Sequence, residues 1–194
     1  GENYTTTAKA ISGYELVLTP NNANGMLAID KITVVYEYRK QSDVTAKYID
    51  ENTGSEITSS ITTTYKEGDS YTTEQKAFSG YTLTRTTENT AGTVGRANIE
   101  VVYYYKKNAT IIAKYIDKYT PDKVAEEVII QGLEKDPYTT EQKNVSRYAF
   151  DSVDGNAAGE MPAGLTVITY YYMKESDVTV KYIDANAGIE IDGV

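Results

Sequence analysis

Between Ile99 and Tyr105 the chain alternates with a period of two. Ile99, Val101, Tyr103 and Tyr105 fall on one face, and Glu100, Val102 and Tyr104 on the other. β-Branched and aromatic residues in strict alternation predict a strand with one buried face. The same pattern occurs in Ile32, Val34, Tyr36 and Tyr38, and again in Ile168, Tyr170 and Tyr172. A second predicted strand follows each of these. Val44, Ala46 and Tyr48 oppose Thr45, Lys47 and Ile49, with counterparts in Ile111, Ala113, Tyr115 and in Val178, Val180, Tyr182. A turn signal at residues 50–54, Asp-Glu-Asn-Thr-Gly, leads into a threonine-rich strand over 56–65.

These elements recur at one spacing. Lys47-Tyr48-Ile49-Asp50 returns at Lys114 and at Lys181, in steps of 67 residues. Tyr4-Thr5-Thr6 returns at Tyr71 and Tyr138 with the same step, and Ser12-Gly13-Tyr14 returns as Ser79-Gly80-Tyr81 and Ser146-Arg147-Tyr148. No insertion or deletion is needed, so the chain reads as tandem copies of one unit. The register also decides a local ambiguity. Residues 122–133 carry a helix-like composition, but they align on the threonine-rich strand of the preceding copy and are read as a strand. A short helical turn is expected at residues 72–76, where Thr72 and Gln75 have capping-box spacing. Turns are expected at 22–25, 89–92 and 156–159, and short linkers at 40–43, 106–109 and 174–177.

Composition narrows the chemistry. The 194 residues contain no cysteine, histidine or tryptophan. Disulfides, thiolate metal sites and the usual neutral-pH general base are therefore absent. A net charge of −9 argues against nucleic acid and anionic membrane as partners, since binding to either rests on lysine and arginine. No apolar run approaches the ~18 residues of a membrane helix, so membrane insertion is not expected of this stretch. Lack of disulfides in so small a core points to a bacterial surface protein, and the chain is expected to be a piece of a longer one.

Four motifs give the chain a family resemblance: Val44-Thr45-Ala46-Lys47-Tyr48-Ile49-Asp50, Gly68-Asp69-Ser70-Tyr71, Gly80-Tyr81-Thr82-Leu83 and Val101-Val102-Tyr103-Tyr104-Tyr105-Lys106. Together they resemble the MucBP (mucin-binding protein) repeats of Gram-positive surface adhesins. The third copy departs where Lys135 replaces Gly68 and Arg147 replaces Gly80. The resemblance implies small β-grasp-like (ubiquitin-like) repeats, display on the cell wall and adhesion to host mucin glycoproteins or their glycans. The expected fold is mainly β, with at most a short helical turn per repeat. Short linkers predict an elongated rod. Two frames remain for the folding unit. One runs 1–67, 68–134 and a truncated 135–194; the family frame gives complete units at 44–110 and 111–177 with partial units at 1–43 and 178–194.

Candidate sites are few. Stacked rings suit sugars, and Tyr104 and Tyr171 are the glycan-binding candidates because they lie on the less apolar strand face. Tyr103 and Tyr105 are read as core. The Asp50, Asn52, Gly54, Glu56 pattern has the alternate oxygen spacing of a calcium loop, but lacks full EF-hand spacing and is broken in the second copy, so a hairpin turn is expected and no metal. Asp151, Asp154, Asn156 and Glu160 are read as a solvated loop. Scattered carboxylates offer no glycosidase pair, so no enzyme and no cofactor are expected. Either a glycan-binding adhesin module or a stalk that carries one fits this sequence.

Overall fold

The computed structural model describes residues 1–191. They form two compact units, one of residues 1–107 and one of the described residues from 108 on. The strands in chain order are β1 (Asn3–Thr5), β2 (Tyr14–Leu18), β3 (Asn24–Met26), β4 (Glu37–Asp50), β5 (Glu56–Lys66), β6 (Ser70–Thr72), β7 (Tyr81–Thr86), β8 (Ala91–Thr93), β9 (Ile99–Asp117), β10 (Lys123–Leu133), β11 (Pro137–Thr139), β12 (Tyr148–Asp154), β13 (Ala158–Glu160) and β14 (Gly164–Lys174). The chain is all β, with no helix among the described residues.

In the first unit β5 pairs antiparallel with β4, β4 pairs parallel with the first half of β9, and β7 pairs antiparallel with that same half. The second unit repeats this order with β10, the second half of β9, β14 and β12. A small ribbon accompanies each sheet, β6 with β8 and β11 with β13. Two pieces of strand expected as linkers, residues 40–43 and 106–109, are continuous ladder instead, in β4 and β9. Residues 123–133 are strand, as register required.

Alternation places the core. Val101, Tyr103 and Tyr105 are at most 2% exposed, and they pack on Val44, Ala46 and Tyr48 of the parallel neighbour. The Tyr48 ring stacks on Tyr103 at 5.5 Å, and Phe78 sets its edge against Tyr48 and Tyr105. In the second unit Tyr115 stacks on Tyr170 at 5.2 Å, but the phenylalanine has moved. Val145 stands at the position of Phe78, and Phe150 at that of Leu83. Phe150, 41% exposed, meets the Tyr170 and Tyr172 rings from the rim of the core, while Val145 packs where Phe78 does in the first unit.

The expected helical turn at 72–76 does not form, and the tyrosines explain why. Tyr48 donates its hydroxyl to the Glu74 carbonyl at 3.0 Å. The Tyr105 hydroxyl accepts from the Lys76 N–H at 3.1 Å and donates to the Lys76 carbonyl at 2.7 Å. The Thr73 N–H donates to the Thr90 carbonyl, and its side chain pairs with the Tyr103 hydroxyl. Backbone groups that a helix would satisfy internally are already satisfied across the core. The same wiring recurs as Tyr115 to Glu141, Tyr170 to Thr140 and Tyr172 to Lys143, and again as Tyr36 to Thr6 and Tyr38 to Lys9. Burial pushes the Tyr48, Tyr105 and Tyr115 hydroxyls above the ordinary tyrosine value, so they remain protonated donors.

A third tyrosine series pins the ribbons. Tyr71 crosses Gly92 to donate to the Asn89 carbonyl at 3.0 Å, and a Cβ at Gly92 would sit 3.3 Å from the Tyr71 ring. The two glycine replacements in the third copy keep the backbone of the glycines they replace. Lys135 has φ 70° where Gly68 has 93°, and Arg147 has φ 64° where Gly80 has 77°. Left-handed backbone strains a residue that carries a Cβ. Lys135→Gly and Arg147→Gly should therefore each stabilise the second unit by about 1 kcal/mol. Chemical denaturation followed by tyrosine fluorescence measures this, and unchanged or lowered midpoints would contradict it.

Candidate functional site

Ile61, Thr63 and Tyr65 of β5, Val44, Ala46 and Tyr48 of β4, and residues 72–76 line a groove of about 230 Å³ in the first unit. Its floor is aromatic and aliphatic. Its polar lining comes from Thr63, Thr72, Thr73, Glu74, Gln75 and Lys76, with the Thr73 hydroxyl already bonded to the Thr90 carbonyl and the Tyr103 hydroxyl. The Lys76 Nζ lies 4.7 Å from the Tyr48 ring centroid. The tyrosine hydroxyls that suppress a helix at 73–76 also hold this wall extended, so Glu74 and Gln75 stay exposed to solvent. Hydroxyl, amide and carboxylate groups over an apolar floor are the chemistry that a polyhydroxylated ligand requires.

In the second unit the corresponding strand reads differently. Val128, Ile130 and Gly132 take the places of Ile61, Thr63 and Tyr65. Met161, buried where Val94 stands in the other copy, lies against Gly132, where an added Cβ would meet its Sδ at 2.7 Å. A polar, aromatic wall has become an aliphatic one.

The two sequence-predicted tyrosines lie on the opposite strand face and are half-buried. The Arg85 guanidinium covers one face of the Tyr104 ring at 3.4 Å from its centroid. Arg85 Nε donates to Glu51 Oε1 at 2.7 Å, and Thr84 Oγ1 donates to Glu51 Oε2 at 2.7 Å. Arg85 and then Thr84 hold the Glu51 carboxyl below the usual carboxylate range. Ser152 pairs with Tyr171 across the sheet at the position Arg85 occupies opposite Tyr104. Beside it the ion pair is reversed, with Lys118 Nζ donating to Asp151 Oδ2 at 2.7 Å. Arg85 thus covers one face of Tyr104, while Tyr171 is paired with a serine.

The groove was not visible as a site in the sequence. Its signal was the Thr-Thr-Glu-Gln-Lys run at 72–76, repeated at 139–143, which local spacing assigns to a helix cap.

The acidic turns have a structural explanation. Asp50 Oδ1 accepts from the N–H groups of Asn52 and Thr53, and Oδ2 accepts from the Tyr81 hydroxyl at 3.3 Å, with Lys107 Nζ at 3.7 Å. Asp117 makes the same two backbone contacts with Tyr119 and Thr120, and Asp184 with Asn186 and Ala187. Each carboxylate closes a turn. In the other acidic stretch Asp151 pairs with Lys118, and the Asn156 carbonyl accepts from the Tyr138 hydroxyl.

Burial raises the pKa of Asp50, but the Thr53 and Asn52 N–H groups, the Lys107 charge and the Tyr81 hydroxyl together outweigh it, and the net shift is downward. A lowered carboxyl contributes stability above its ordinary value of 3.8 and loses it as pH falls through the depressed value. Asp50→Ala should cost about 1.5–3 kcal/mol at neutral pH. Asp50→Asn keeps the turn acceptor, so it should cost less and flatten the acid limb below about pH 4. Melting temperature against pH checks both, and an unchanged acid limb in Asp50→Asn would contradict the assignment.

Comparison with known proteins places these features. Internalin J of Listeria monocytogenes serotype 4b (strain F2365) is 35% identical over 199 residues, covering 96% of this chain and 22% of that protein. Internalin J of L. monocytogenes serovar 1/2a (strain ATCC BAA-679 / EGD-e) is 33% identical over 196 residues, covering 94% of this chain. The chain spans 22% and 23% of the length of these two relatives. Among solved structures, SHIRT domains 3-4 from a streptococcal cell surface protein match at 12% identity and TM-score 0.26, over 69% of this chain and 98% of that one. The type 2 repeat of the mucus binding protein MUB from Lactobacillus reuteri matches at 15% identity and TM-score 0.22, over 69% of this chain and 100% of that one. The MucBP domain model matches three times in tandem, at residues 1–39, 43–106 and 110–173, and the chain belongs to the MucBP domain family.

Proposed function

We propose that this chain is the repeat region of a bacterial cell-surface adhesin, non-enzymatic, that binds mucin-type glycans through the first unit. The observation that carries this reading is the groove between β5 and residues 72–76, with its threonine, amide and carboxylate walls over aromatic rings. Tyr104, with the Arg85 and Glu51 layer beside it, is a secondary contact on the other face, and Tyr171 is its counterpart in the next copy. Membership of the MucBP family and the likeness to internalin J support a surface setting.

A stalk role fits the second unit better. Ile130, Gly132 and the inserted Met161 replace the polar wall, so this copy extends the array. Complete folding units in the frame 44–110 and 111–177 are part of the proposal. The first core, 44–105, lies wholly within one such span, and the second, 109–172, lies within the other except for Ala109. Small β-grasp-like repeats are the fold that membership of the MucBP family implies.

The test is retention of the full chain on immobilised mucin. Wild type should bind, and Thr63→Ile or Gln75→Ala should reduce binding, while Ile130→Thr in the second unit should not. Wild-type protein that fails to bind mucin would overturn the adhesin reading and favour the stalk.

A further inference from the structure

β5 is an edge strand inside a complete repeat. Among the described residues β4 is the only strand that pairs with it, and its counterpart β10 pairs with β9 alone. The same edge is thus open in both complete copies, each of which has chain on either side of it.

The two edges differ in how they are protected. Open edges are usually blunted by charge and by bulges. β10 carries Lys123, Glu126 and Glu127, with two register shifts beside them. In β5 every residue from Ile57 to Tyr65 is uncharged, and residues 59–64 are exposed. Isoleucine, threonine, serine and tyrosine make up the whole stretch, mostly types that favour strands. Register shifts in β5 lie toward the Glu56 end, and residues 61–66 run without one. The Glu67 N–H donates to the Lys40 carbonyl. Alternation from that pair turns the main-chain groups of Ile61, Thr63 and Tyr65 toward β4, and those of Thr62 and Thr64 outward.

This edge is complementary to itself read backwards. Antiparallel pairing centred on Ile61 sets Glu56 against Lys66, Ile57 against Tyr65, Thr58 against Thr64, Ser59 against Thr63 and Ser60 against Thr62. Opposite charges meet at both ends, hydroxyls meet hydroxyls, and an aliphatic side chain meets a ring, all of which stabilise antiparallel pairs. Ile57 packs on the core, and Ile61 and Tyr65 line the groove, so these partners share a face. Ile61, its main-chain groups turned to β4, falls at the centre in a non-hydrogen-bonded position. Lys66 Nζ holds Glu15 at 2.8 Å in an exposed pair and can reach a second carboxylate from there. β10 has no such symmetry: centred on Val128, Lys123 meets Leu133, and Glu126 and Glu127 meet Ile130 and Ile129.

We infer that β5 is a dimerisation edge, pairing antiparallel with β5 of a second copy of this chain about a two-fold axis at Ile61. The outward N–H and carbonyl groups of Thr62 and Thr64 supply ladder bonds, and the Glu56–Lys66 contacts fix the register. Because both copies use the same surface, the contact closes at the dimer. A net charge of −9 on each chain opposes association, and an uncharged strand is where that repulsion is least.

The test uses the full chain and no glycan, so its outcome is independent of the adhesin reading. Sedimentation equilibrium should show monomer and dimer and no larger species. Lys66→Glu should lose the dimer, and Glu56→Lys combined with Lys66→Glu should restore it, with melting temperatures showing that both variants fold. The chain has no native cysteine. Non-hydrogen-bonded partners have Cα atoms about 4.5 Å apart, within disulfide reach. Ile61→Cys under mild oxidation should therefore give a covalent homodimer. Thr64→Cys should not, because its two copies would lie about six residues, roughly 20 Å, apart along the paired strands. A wild type that stays monomeric at every concentration overturns the inference, as does a dimer that the charge swap does not restore or equal cross-linking of the two cysteine variants. Protection of the β5 amides of a monomeric chain by an added serine- and threonine-rich peptide would assign the edge to a different occupant and overturn it as well.

Discussion

A buried tyrosine hydroxyl that bonds to the main chain of an unstructured segment is the interaction on which each repeat depends. A sheet of four strands cannot cover its own apolar face, and no helix among the described residues does so. The cover is residues 73–78, a stretch without regular structure whose backbone polar groups would be costly to bury unpaired. Tyr48, Tyr103 and Tyr105 solve both problems at once. Their rings fill the core, and their hydroxyls bond to the Glu74 carbonyl, the Thr73 hydroxyl, and the Lys76 N–H and carbonyl. Phenylalanine at 48 or 105 would fill the space and leave those backbone groups unpaired.

The same bonds create the site. An extended segment held at its backbone turns its side chains outward, and Glu74 and Gln75 thereby line the groove with Thr63 and Tyr65. A helical turn there would have withdrawn them. Fold and candidate site therefore share one cause, and the copies diverge in side chains that the wiring does not use. Val128, Ile130 and Gly132 change the groove while Tyr115, Tyr170 and Tyr172 keep their bonds.

The strands were legible in the sequence because alternation of tyrosine, valine and isoleucine is a local signal, and the 67-residue register overruled the helix-like residues 122–133. Residues 72–76 were misread for the opposite reason. Thr72 and Gln75 have capping-box spacing, and what prevents the helix is a set of hydroxyls about 30 residues away in sequence. Register could not correct this, since every copy carries the same segment. Residues 40–43 and 106–109 were misread because their charges suggest a loop, whereas neighbouring strands carry the ladder through them. The covering of Tyr104 by Arg85 was likewise out of reach, because it is a pairing between strands.

Amide hydrogen exchange at Lys76 and Lys143 tests the tyrosine wiring most directly. Both lie in segments outside any strand, and both donate to a tyrosine hydroxyl, Tyr105 and Tyr172 respectively. The account predicts that both exchange as slowly as the strands of their own units. It also predicts that Tyr105→Phe opens Lys76 alone and Tyr172→Phe opens Lys143 alone. Exchange of Lys76 in the wild type at the rate of an open loop, or equal protection in Tyr105→Phe, would contradict it.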